Sequence, residues 1–164
     1  MEKTTLFSSV YNIAKDLHIE QTVVQRILNA YFDYCKQELC MGYRVSFSDI
    51  VIIVPKYEIV TYKATLGYIC YSIAKNNGFS FNTVFTVVDT FLARLRDDII
   101  EGKSATIRGI VTLKPYREDD VITRVHSAIS QSLQNMVKAN NNSVRAHTHQ
   151  SIKRTIRGVG SSDR

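Results

Sequence analysis

Residues 42–55 read Gly-Tyr-Arg-Val-Ser-Phe-Ser-Asp-Ile-Val-Ile-Ile-Val-Pro, and residues 102–115 read Gly-Lys-Ser-Ala-Thr-Ile-Arg-Gly-Ile-Val-Thr-Leu-Lys-Pro. Gly42 and Gly102, Ile50-Val51 and Ile110-Val111, and Pro55 and Pro115 share one offset (102 − 42 = 60). β-branched runs around Ser48-Asp49, and their counterparts around Arg108-Gly109, predict a hairpin in each stretch. The glycine in front of each hairpin suits the left-handed cap that ends a helix.

Upstream the shift persists. Thr5-Leu6 maps onto Thr65-Leu66, Tyr11 onto Tyr71, Ile13-Ala14-Lys15 onto Ile73-Ala74-Lys75, and Val24 onto Val84. Leu6, Val10, Ile13 and Ala14 recur at three and four and predict a short helix, broken at Leu17-His18-Ile19. Val23, Val24, Ile27, Leu28, Tyr31, Phe32, Cys35 and Leu39 then form the broad apolar stripe of a longer one. The second copy repeats this with Leu66, Ile69, Cys70 and Ile73, a stop at Asn77-Gly78, and an N-cap at Ser80. Its long stripe is Val84, Val87, Val88, Phe91, Leu92, Leu95 and Ile99. Tyr11, Tyr31 and Tyr71 fall on these apolar faces and are expected in the core. Each copy is a unit that cannot bury its apolar face alone.

The predicted class is α+β, with repeat 1 over 1–56, a linker over 57–62, repeat 2 over 63–138 and a basic C-terminal tail over 139–164. Beyond Pro115, Glu118-Asp119-Asp120 suits a helix start. Val121, Val125, Ile129, Leu133, Met136 and Val137 predict a third helix reaching Lys138, without a counterpart in repeat 1. The tail is expected to lie as an extension on an adjacent protomer.

The net charge of +6 invites a nucleic-acid reading, but the charge is unevenly spread. Residues 1–138 hold 16 Lys/Arg and 14 Asp/Glu (16 − 14 = +2), and residues 139–164 hold 5 and 1 (5 − 1 = +4). The body is close to neutral and the excess sits in the tail. Cys35, Cys40 and Cys70 are an odd set without CxxC spacing, read as free thiols, with Cys35 and Cys70 at buried helical positions. His147-Thr148-His149 has no nearby carboxylate or thiol to complete a metal site. No serine stands in a nucleophile elbow, and Gly158-Val159-Gly160 is too short for a phosphate loop. No enzyme, cofactor or metal is expected. No stretch is long and apolar enough to span a bilayer, and the first residues lack a signal-peptide pattern, so the expected site of synthesis is cytoplasmic.

Helix, helix, strand, turn, strand, with glycine before the first strand, resembles the HU and integration host factor (IHF) family. Asn77-Gly78-Phe79-Ser80 is similar to the family's interhelical turn. Val87-Val88-Asp89-Thr90-Phe91 is similar to its long-helix core, and Glu101-Gly102-Lys103 with Arg108-Gly109-Ile110 to its hairpin. The resemblance implies a tandem duplication working as a single-chain pseudo-dimer. DNA-bending members extend the hairpin into a basic arm whose tip carries an Arg-Asn-Pro wedge. Neither copy has that motif, and neither is expected to have an arm. Asp49 occupies the place of Gly109 and adds a negative charge.

Armless tandem chains of this kind resemble the ring proteins stacked below the portal in crAss-like tailed phages. The resemblance implies a virion protein, made in a bacterial cytoplasm, forming a homo-oligomeric ring in the neck or tail barrel. Its partners would be neighbouring portal, neck and tail proteins, with no membrane. Tyr57, Tyr62 and Tyr116 are its candidate interface anchors. The alternative is an architectural protein of double-stranded DNA. Lys103, Arg108, Lys114, Arg145, Lys153, Arg154 and Arg157 would then contact phosphate, or an acidic partner.

Overall fold

The computed structural model describes residues 6–60 and 65–161, with side chains over 9–60 and 65–156. It is a mixed α+β fold, with six helices and two three-stranded antiparallel sheets among the described residues. In chain order the elements are α1 (Leu6–Leu17), α2 (Gln21–Cys40), β1 (Val45–Phe47), β2 (Val51–Pro55), α3 (Leu66–Asn77) and α4 (Phe81–Ile100). There follow β3 (Ala105–Ile107), β4 (Val111–Glu118), β5 (Val121–Ile129), α5 (Gln131–Lys138), β6 (Val144–Thr148) and α6 (Gln150–Ser161).

The long helices end alike. After α2, the N–H of Tyr43 donates to the Glu38 carbonyl and that of Gly42 to Leu39. After α4, Lys103 donates to Asp98 and Gly102 to Ile99. Gly42 and Gly102 sit at φ 97° and 86°, a region where a side chain is strained, so glycine stops both helices. The stripes bury as their periodicity requires. Val24, Ile27, Leu28, Tyr31, Phe32, Cys35 and Leu39 are buried on α2, and Val84, Val87, Val88, Phe91, Leu92, Leu95 and Ile99 on α4. The two stripes meet at Phe32 and Phe91, whose rings lie 5.4 Å apart edge to face. A single apolar cluster runs through both halves. Each large aliphatic side chain buried there contributes about 1.5–3 kcal/mol.

Four expectations require correction. The stretch expected as one helix from 118 to 138 is instead strand β5 followed by the short helix α5. Val121, Val125 and Ile129 are four apart, a spacing that strand alternation and a helical turn both accommodate. The β-branched run Val121-Ile122-Thr123 favours the strand.

Residues 144–161 fold back on the chain's own body instead of extending as a tail onto a neighbour. β6 pairs antiparallel with β2, from Val51↔Thr148 to Pro55↔Val144. α6 returns to the body and buries Ile152 and Ile156. The segment therefore completes the sheet of the first half just as β5 and α5 follow β4 in the second. The backbone agrees: His149 N–H donates to Ile50 O at 2.7 Å, and Ser130 N–H donates to Ile110 O at 2.9 Å.

The second half also carries a short arm. β3 pairs with β4 only over residues 111–113, while β4 and β5 continue as a two-stranded ribbon to Glu118 and Val121. In the first half the chain leaves β2 at Pro55, and the whole second half intervenes before it returns through Ser143 into β6. Lys56 N–H donates to the Ser143 carbonyl at 2.8 Å and closes that gap.

Finally, Tyr11 and Tyr71 are exposed, while Tyr31 is buried as expected. Each exposed tyrosine follows or precedes a buried position by one residue, about 100° round the helix, outside the stripe of Val10-Ile13-Ala14 or Cys70-Ile73-Ala74.

Candidate functional site

The anticipated cations are scattered over five places in the fold. Lys103 lies beyond the end of α4, its Nζ 3.0 Å from the Glu101 carboxylate. Arg108 is exposed in the β3–β4 turn, and Arg145 is exposed on β6 opposite Val54. Lys114 lies on the outer face of the ribbon, opposite His126. Lys153 and Arg154 are exposed on α6, while the side chain of Arg157 lies outside the described residues.

Of the anticipated anchors, Tyr57 is exposed in the linker and its backbone is clasped on both sides by Asn142. The Tyr57 N–H donates to Asn142 Oδ1 at 3.0 Å, and Asn142 Nδ2 donates to Tyr57 O at 2.9 Å. Tyr62 lies outside the described residues. Tyr116 belongs to the ribbon, where the Arg124 guanidinium lies 4.7 Å from its ring centroid and His126 meets it edge to face at 6.2 Å. Cross-strand partners share a face of a sheet, so Lys114, Tyr116, Arg124 and His126 make one cationic and aromatic strip.

A cleft of about 300 Å³ opens between the ribbon, β6 and α6. Thr123, Arg124, Val125, Thr148, Lys153 and Ile156 line it. Neither Arg124 nor Lys153 forms an ion pair among the described residues. Thr123 is the extra residue of a bulge: Tyr116 pairs with Arg124 but Arg117 pairs with Ile122. Arg117 NH2 in turn donates to the Glu101 carbonyl, laying the guanidinium over Gly102.

The ribbon tip is acidic. Glu118, Asp119 and Asp120 are exposed, and none forms an ion pair among the described residues. Asp119 and Asp120 have φ 51° and 65°, the two positive values of a tight hairpin turn that usually takes Asn or Gly.

A polar cluster holds α6 in place. Asp49 Oδ2 accepts from Arg96 Nε at 3.0 Å and from the Ser151 hydroxyl at 3.2 Å. Arg96 also donates to Thr155 Oγ1, and His149 Nδ1 accepts from the Ser151 N–H, both at 3.0 Å. Burial raises the Asp49 carboxyl, but Arg96, its own backbone N–H and Ser151 outweigh this and hold it below the ordinary carboxylate range. Elsewhere burial pushes the Cys35 thiol up, and the Cys70 thiol up to about 11 with a further contribution from Asp89, so both are neutral thiols at physiological pH. Glu38 is buried with Oε2 unpartnered. Desolvation raises its carboxyl, and the Tyr34 hydroxyl opposes the shift.

Sequence reasoning passed over Arg124, Thr123 and Thr148 of the cleft, and the Asp49–Arg96 pair. One available signal was Gln150-Ser151-Ile152 repeating Gln131-Ser132-Leu133 at an offset of nineteen (150 − 131 = 19). It marks α6 as the counterpart of α5 and brings Lys153 to a defined surface.

Among the described residues no helix is long and apolar enough to cross a membrane. No group of three His, Cys, Asp or Glu side chains among them could hold a metal ion. Comparison with protein-family models, curated proteins and solved structures finds no match.

Proposed function

We propose that the chain is a non-enzymatic structural subunit built as an HU/IHF-like pseudo-dimer, assembling into a homo-oligomeric ring in the neck or tail barrel of a tailed phage. In the virion the ring would surround the DNA channel below the portal and contact neighbouring neck and tail proteins. The observation that carries the pseudo-dimer is the exchange of third helices between halves. α5, which follows the second sheet, packs on α2 of the first half, and α6, which follows the first sheet, packs on α4 of the second. Such reciprocal packing is what an intertwined dimer becomes when its subunits are fused, and fusion removes the entropy cost of association. Exposed apolar side chains at Met41, Tyr57, Ile59 and Val60 support an assembling subunit. Native mass spectrometry and negative-stain electron microscopy of the purified chain test the ring. Closed particles of one stoichiometry are expected; a monomer at every concentration would remove the reading.

A second reading, an architectural protein of double-stranded DNA, is favoured by the strip of Lys114, Arg124 and His126 around Tyr116, with Arg145 on β6. It predicts duplex affinity that falls steeply with salt, since each phosphate contact releases a counterion. A gel-shift titration at two salt concentrations checks it.

A further inference from the structure

We propose that the cleft between the ribbon and α6 is a socket for the acidic ribbon tip of a second copy of this chain. This rests on the reading of the chain as a self-assembling subunit and names the contact.

Arg124, Lys153, Thr123 and Thr148 line, with Val125 and Ile156, a hollow of about 300 Å³. With neither cation paired to a carboxylate among the described residues, an anionic occupant gains attraction without first breaking an ion pair. The tip is the complementary object. It presents three consecutive exposed carboxylates, Glu118 at the end of β4 and Asp119 and Asp120 on the two-residue loop that closes the ribbon.

The tip is also costly on its own. Two adjacent aspartates sit at positive φ in a turn where Asn-Gly would be relaxed. Within one molecule the tip cannot enter its own socket. β5 leads away from Asp120 at about 3.3 Å per residue, and its residues 123–125 form the socket wall, so a paired ribbon would have to fold back on itself. The occupant must come from another copy, and every copy carries both halves of the contact.

Charge exchange tests this by sedimentation velocity on the full chain. Asp119→Lys with Asp120→Lys, and separately Arg124→Glu with Lys153→Glu, should each weaken self-association at least tenfold. An equimolar mixture of the two variants should recover it. Asp119→Asn with Asp120→Gly keeps the turn relaxed, so it should weaken association while its melting temperature stays level or rises. Unchanged association in the tip variants, or failure of the mixture to recover, overturns the socket even if rings still form. Loss of duplex DNA binding by Arg124→Glu with Lys153→Glu, with self-association intact, also overturns it and marks the cleft as a nucleic-acid groove. Recovery in the mixture supports the socket whether the assembly is a ring or a pair, and a species that stops at two copies removes the ring.

Discussion

Arg96 Nε donates to Asp49 Oδ2 at 3.0 Å, tying α4 to the turn between β1 and β2. The corresponding pair across the other half, sixty residues displaced, is Lys36 and Gly109 (96 − 60 = 36; 49 + 60 = 109). There a Cβ on Gly109 would meet Lys36 Nζ at 3.1 Å, so the same two positions face each other with no carboxylate between them. Lys36 turns instead to Asp33 at 3.5 Å on its own helix. The first hairpin takes its positive φ at Ser48 (53°), the second at Gly109 (74°). Moving that backbone demand to Ser48 frees residue 49 to carry a side chain, and the carboxylate it carries holds Arg96 and Ser151 together.

Asp49→Asn should therefore lower stability by about 1 kcal/mol, a modest figure because both partners are part-exposed. The folded carboxyl is held below its unfolded value. Its contribution is fully present above the unfolded value of about 3.9 and is lost as pH falls through the folded one. Urea unfolding at a series of pH values should show the variant's deficit in full at pH 7 and its progressive shrinking as pH falls below about 3.9.

His18 has φ 56° at the end of α1, where Gly78 has φ 72° at the end of α3. Both ends are followed by the same bond, from Ile19 N–H to Ala14 O and from Phe79 N–H to Ala74 O. His18→Gly removes a side chain from a left-handed position and should stabilise the fold by about 0.5–1 kcal/mol. A rise in the denaturation midpoint at unchanged slope is the expected readout; a fall would mean that the imidazole makes a contact worth more than the strain.

Glu38 is a buried carboxylic acid with an unpartnered oxygen and a carboxyl raised by desolvation. A raised folded carboxyl destabilises the fold progressively as pH climbs from the unfolded value of about 4.3 through the folded one. Glu38→Gln should gain about 1 kcal/mol at pH 8, and the gain should vanish near pH 4. Paired thermal melts of wild type and variant decide it.

Ile152 is fully buried on α6, as its counterpart Leu133 is on α5. Ile152→Ala should cost about 2–5 kcal/mol, the ordinary penalty for emptying a core site, as should Leu133→Ala. A loss below 1 kcal/mol for Ile152→Ala alone would show that α6 is a dispensable appendage.

What could be read along the chain followed the range of the forces involved. α2 and α4 were legible because a helix satisfies its backbone within four residues and its stripe recurs at 3.6. Gly42 and Gly102 were legible as stops because their conformational demand is local. Residues 121–129 were misread because their spacing served both periods, and only pairing with β4 decides between them. The cleft was invisible for a related reason: Arg124 and Lys153 come from elements that neither neighbour nor repeat one another in sequence.

The sequence by itself determined a doubled helix-helix-hairpin pattern, its glycine stops and its apolar stripes, since each depends on residues a few positions apart. Only the tertiary structure decided that residues 144–161 complete the first half, that the third helices cross between halves, and that an acidic tip and a cationic cleft share one ribbon. A strand finds its hydrogen-bond partners, and a helix its packing surface, across any separation along the chain. Val144 pairs with Pro55 by closing a loop around the entire second half.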